Sequence, residues 1–250
     1  VTQPLVRYLV HGAAPDELPA FLGRLSADEI RDSSSIVFRV EDSFIDRLRS
    51  ESGHVARQTA LARAGALPIL LVALTAREPH PVLWRVTHDD VAALNDPAQL
   101  AAARQSDLHH QLNRARSRAE LRAGSGYHFV TPSLRHTNRF VRIANVIQDI
   151  ASLETLAFWT ADAIAQADAI LLDTWSIAAI PLRAMQLIER NHLDLDALPG
   201  HPNLLPTESR IVVQQLARRM RPDARILFLQ SAMGSGSSSA IIDDIFHELA

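Results

Sequence analysis

Cysteine and lysine are both absent from this chain of 250 residues, so each of its 25 basic side chains is an arginine. Without a thiol there is no disulfide framework, no thiolate nucleophile and no cysteine-bearing zinc site, and a reducing compartment is acceptable. Without an amine side chain, Schiff-base chemistry and the lysine of a P-loop are excluded. No apolar run approaches the ~20 residues of a membrane span; the longest extends from Ala66 to Leu74. The N-terminus lacks the basic-then-apolar order of a secretory signal. A cytoplasmic location without membrane attachment is the expectation.

What is present is ordinary for a folded protein. A hydrophobic fraction of 47% with 21% charged residues supplies a sizeable core. The net charge of −3 gives no global attraction for nucleic acid. No strong nucleic-acid signal is therefore read, and any such binding would have to be local. The length favours two modest domains over one.

Along the chain, Ser35 to Val40 reads as a strand and Asp42 to Ser50 as a short amphipathic helix. Leu67 to Ala73 and Val82 to Val86 read as two strands around a turn-rich segment, which suggests a small antiparallel unit. Asp89 to Arg122 is rich in helix formers, so one or two helices are expected there as a connector. Gly124-Ser125-Gly126 then punctuates the chain. The expected division is an α+β N-terminal domain over residues 1–124 and a second domain over 125–250.

The second half alternates helix and strand. Helices are predicted at Ser152 to Gln166, Pro181 to Arg190 and Glu208 to Met220, with strands at Ala169 to Leu172 and Arg225 to Gln230. This rhythm implies an α/β fold with a parallel sheet.

Three segments could carry chemistry. First, an apolar strand runs into Ser231, Gly234, Ser235, Gly236, Ser237 and Ser238 before a final helix. Glycines let the backbone approach a ligand, and the helix N-terminus adds partial positive charge, so the loop suits a phosphate. The alternative is a turn whose serines only cap the helix. Second, Asp173, Thr174, Trp175 and Ser176 follow the strand at Ala169, and open parallel sheets bind ligands at such strand ends. Here the alternative is a helix cap with Trp175 in the core. Third, Ser133, Arg135, His136 and Arg139 form a polar, arginine-rich stretch, and arginine binds phosphate bidentately. A solvated charged face is the competing reading. The 11 histidines show no zinc-protease spacing, and no nucleophile elbow follows a strand.

In order and spacing the three segments resemble the orotate-type phosphoribosyltransferases. Tyr127 to Phe140 is similar to the motif that opens their domain, Asp173 to Leu182 to their pyrophosphate loop and following helix, and Ile226 to Ser238 to their phosphoribosyl-diphosphate signature. The resemblance covers the second half of the chain. It implies a phosphoribosyltransferase-like domain binding phosphoribosyl diphosphate or a nucleotide phosphate, with Mg²⁺ as a companion ion and transfer or cleavage at the ribose anomeric carbon. It also implies strands beyond the last helix, so the 125–250 domain is expected either to be incomplete or to be completed by the N-terminal one. Gln230 and Ser231 stand where the family carries two acidic residues. That departure opens the alternative of an inactive nucleotide-sensing or interaction module, and either version could work as a homodimer or with a protein partner.

Overall fold

The computed structural model describes residues 3–9, 12–74, 80–124, 126, 129–130, 136–202, 204–231 and 237–249. They belong to two compact units, Val1–Gln111 and Leu112–Ala250.

The first unit runs β1 (Gln3–Tyr8), α1 (Glu17–Leu22), α2 (Ala27–Arg31), β2 (Ser33–Arg39), α3 (Asp42–Arg49), α4 (Glu51–Ala64), β3 (Ile69–Leu74), β4 (Pro81–Val86), β5 (Val91–Leu94) and α5 (Pro97–Ala119), the last of which crosses the division. Its sheet has the order β1-β2-β3-β4-β5. The first three strands are parallel, while β4 and β5 run antiparallel. The antiparallel pair read from the sequence is present as β3 and β4, but it extends a mostly parallel sheet. β1 escapes a sequence reading because Pro4 and Arg7 break its apolar pattern.

Local chemistry accounts for the elements. Ser26 and Glu29 form a reciprocal capping box at the start of α2. In α3, Phe44, Ile45 and Leu48 lie on one buried face. Gly53 is needed where α4 folds back on α3, because a Cβ there would meet the Arg47 and Leu48 carbonyl oxygens at 2.5 and 2.4 Å. The core joins Ile36, Phe38, Ile69 and Leu71 of the sheet to Leu18, Leu22, Phe44 and Ala60 of the helices.

The second unit begins with two small ribbons: β6 (Glu120–Arg122) pairs with β9 (Arg139–Val141), and β7 (Phe129–Val130) with β8 (His136–Thr137). After α6 (Ile143–Val146) come α7 (Ile150–Gln166), β10 (Ala169–Leu172), a 3-10 turn (Trp175–Ile177), α8 (Ala179–Leu187), β11 (Asp194–Ala197), α9 (Pro206–Arg219), β12 (Ile226–Leu229) and α10 (Ser237–Leu249). Asp149 caps α7 by accepting from the Ser152 N–H, and Pro206 opens α9. The sheet is parallel, in the order β11-β10-β12.

β10 is buried along its whole length, as expected of a central parallel strand with apolar side chains on both faces. Ala169 and Leu171 pack with Val213 and Leu216 of α9 and with Ile242 and Ile245 of α10. By the two-residue alternation of a strand, Ile170 and Leu172 face the other side of the sheet. No helix among the described residues is long and apolar enough to cross a membrane.

Candidate functional site

The chain leaves β10 for β11 on one side and then returns to β12 on the other. The reversal lies between β10 and β12, and the carboxyl ends of strands at such a point form the usual ligand crevice of an open α/β sheet. The registers bring the strand ends level, with Leu172 paired to both Ala197 and Leu229. Asp173 therefore emerges beside Ser231.

The two residues are bonded. Asp173 Oδ2 accepts the Ser231 backbone N–H at 2.8 Å and the Ser231 hydroxyl at 2.7 Å. The Asp173 N–H in turn donates to the Leu229 carbonyl at 3.0 Å. Asp173 is half-buried, and its Oδ1 is a buried oxygen with no hydrogen-bond partner among the described residues. One carboxylate thus ties the two strand-end loops together and keeps one acceptor unused.

Thr174 caps the 3-10 turn, accepting the Ser176 N–H at 3.3 Å. Trp175, however, is 58% exposed. A core role for this indole is thus replaced by a large aromatic face open to solvent next to Asp173. Gln230 accepts the Ser239 hydroxyl at 2.9 Å, which joins the end of β12 to the first turn of α10.

A third strand end contributes His201, which follows β11. Burial pushes its imidazole below the usual 6.5, and the negative charge of Asp173 pulls the other way. Sequence reasoning missed His201 because it missed β11, whose Asp194-Leu195-Asp196-Ala197 alternation marks a half-buried edge strand.

The remaining sequence candidates separate. Gly234, Ser235 and Gly236 lie outside the described residues, as do Ser133 and Arg135. Ser237 and Ser238 open α10. His136 is exposed in β8, and Arg139 in β9 takes Glu120 as its partner, Nε to Oε1, at 3.4 Å. Both Ser231 donors are given to Asp173, so in this structure Ser231 closes the crevice from within.

A cavity of about 960 Å³ lies along β12 between α9 and α10, lined by Met220, Ile226, Phe228, Ile242 and Phe246. Its walls also carry Arg221, Ser239, Asp243 and His247 and do not include the Asp173 carboxylate, and the polar convergence at the strand ends is the better guide to chemistry. Among the described residues, no group of three His, Cys, Asp or Glu side chains could hold a metal ion. Comparison with protein-family models, with curated proteins and with solved structures gives no match.

Proposed function

We propose that the second unit binds a phosphorylated ribose compound, phosphoribosyl diphosphate or a nucleotide, in the crevice between the ends of β10 and β12. The observation that carries this reading is the pair of Asp173–Ser231 bonds at the point where the strand order reverses. In this reading Asp173 receives sugar hydroxyls, which need an acceptor, and the phosphate lies toward the N-terminus of α10, whose dipole favours an anion. Trp175 offers its exposed face to a base.

The same arrangement suits transfer or cleavage at the anomeric carbon. A fixed carboxylate stabilises positive charge developing on a ribose ring, and excluding water strengthens that effect. His201, disposed to stay neutral by its burial, accepts or donates a proton at an imidazole nitrogen near neutral pH. Mg²⁺ would enter with a diphosphate, because the ion is commonly held by one or two carboxylates together with substrate phosphates. Asp173, with its unused Oδ1, is the carboxylate that fits this role, and the ion would supply neutralisation of the diphosphate charge.

A second reading has its own support. Gln230 and Ser231 are neutral, and both are already engaged, with Ser239 and Asp173 respectively. A crevice that binds without turnover would serve as a nucleotide sensor.

Calorimetric titration with phosphoribosyl diphosphate and with nucleoside mono- and triphosphates, each with and without Mg²⁺, tests the binding. A Trp175→Ala variant should lose about tenfold in affinity for nucleotides, the order expected of one base stack, and nothing for the base-free phosphoribosyl diphosphate. Pyrophosphate release then separates enzyme from sensor. Absence of heat with every ligand would end the proposal.

A further inference from the structure

The strongest charge asymmetry of the chain lies outside the crevice. Between residues 114 and 142 there are seven arginines and a single acidic residue, Glu120, in a chain whose net charge is −3. The ribbon of β6 and β9 concentrates them. Glu120, with its side chain only 9% exposed, receives Arg116 Nε at 2.7 Å, Arg122 Nε at 3.0 Å and Arg139 Nε at 3.4 Å. The three guanidiniums are 57–61% exposed, so one carboxylate leaves two of their charges uncompensated.

The arrangement is poor value for stability. Arg122 and Arg139 stand directly opposite each other across the ribbon, and like charges in that position are destabilising. Arg116 and Arg118 lie in the last turn of α5, where the helix dipole welcomes cations. That accounts for neither Arg122, Arg139 nor Arg142. Arg114 is paired with Asp149, and Arg118, four residues on, shares its side of α5 rather than that of Arg116. The ribbon alternates, so Leu121 and Phe140 turn away from the arginines, and the Phe140 ring contacts Phe129 of β7 at 6.3 Å. An anchored side and a charged side result.

We infer that the arginine face of the β6–β9 ribbon, with the end of α5, binds the phosphate backbone of a single-stranded polynucleotide. Guanidinium forks match phosphate oxygens bidentately, and arginine does this better than lysine. The trio is compact, since all three Nε atoms lie within 3.4 Å of one carboxylate. The two backbones flanking a duplex groove are about 12 Å apart across the major groove, so the cluster addresses one strand. The trio carries two charges beyond its carboxylate, and successive phosphodiesters of a strand present one charge each, which favours a polymer over a single phosphate. Contacts to phosphate carry no sequence information, so binding through the trio is independent of sequence.

The test is fluorescence anisotropy of the whole chain with labelled dT20 and rU20, from 50 to 200 mM salt. Each phosphate neutralised on a single strand contributes about −0.7 to the slope of log affinity against log salt. The two uncompensated charges of the trio give a slope near −1.4, or about a 7-fold loss over that range. Arg122→Gln with Arg139→Gln should reduce the slope by about 1.4. Arg116→Gln, at an exposed position of α5, should reduce it by about 0.7 and serves if the double variant does not fold. Binding of either oligonucleotide with these losses supports the inference. No binding at 50 mM salt, slopes unchanged in both variants, tighter binding of a duplex of equal length, or binding only to phosphatidylserine vesicles would each overturn it. None of these outcomes bears on the crevice ligand.

Discussion

Replacing Asp173 by alanine removes the acceptor of two hydrogen bonds that join the loop after β10 to the loop after β12. A bond to an ionised acceptor contributes about 1.5–3 kcal/mol. Both residues are half-buried, so water replaces part of what is lost and the lower value applies, or about 3 kcal/mol for the pair. The substitution also removes the buried, unpartnered Oδ1, which recovers about 1 kcal/mol. The net expectation is a loss of about 2 kcal/mol, or roughly 8 °C in the melting transition of the second unit. Asp173→Asn keeps an acceptor without the charge and should cost about half as much. Calorimetry of the whole chain should show the second unit's transition shifting while the first unit's stays in place. The Ser231 amide should exchange with solvent about 30-fold faster, which is the same 2 kcal/mol read locally. An Asp173→Ala chain that melts like the parent, with unchanged Ser231 exchange, would refute the view that this carboxylate holds the crevice together.

Other expectations follow from the same geometry. The His201 imidazole is held below 6.5 by burial, and Asp173 opposes that shift. Its contribution to stability is complete above about pH 6.5 and is lost as the pH falls through the folded value; His201→Gln should flatten that part of the curve. In Asp173→Asn the His201 pKa should fall further, which an NMR titration of the imidazole would show. Glu29 is held below its usual 4.5 by the Ser26 N–H and hydroxyl and by Arg7. The stability it confers on the first unit is present above about pH 4.5 and disappears as the pH falls, so Glu29→Gln should weaken the acid dependence of that unit's melting. Leu171→Ala, in a fully buried strand, should cost about 3–5 kcal/mol in chemical denaturation of the second unit. Asp107→Ala, which removes the carboxylate 3.5 Å from buried Arg39, should cost the first unit about 3–5 kcal/mol.

Much of the second unit was legible in the amino-acid order. Ala169 to Leu172 announces itself as a buried strand by being wholly apolar, and the helices at 150–166 and 206–219 carry clear periodic patterns. Asp173 could be singled out because a charged residue directly after such a strand emerges at a sheet edge. What could not be read was its partner. The bond to Ser231 spans 58 positions of sequence and depends on β12 pairing in register with β10, a tertiary fact with no local trace. β11 was lost because Asp194 and Asp196 disguise an edge strand as a polar loop. In the first unit, the apolar run marks a strand at Leu67 to Ala73, observed at Ile69–Leu74, but its parallel pairing with β2 depends on helices 42–49 and 51–64 crossing over the sheet, which composition alone does not dictate.

The level ends of β10, β11 and β12 carry a consequence for how such a site tolerates change. Asp173 and Ser231 are fixed by the strands beneath them, so a change of chain length between Ser231 and α10 leaves both in place. A single residue inserted within Ile226–Leu229 would do the opposite. It would turn every later side chain to the wrong face of the sheet and carry Ser231 off its carboxylate. Variation in this crevice is therefore free in its loops and forbidden in the four-residue strands that support them.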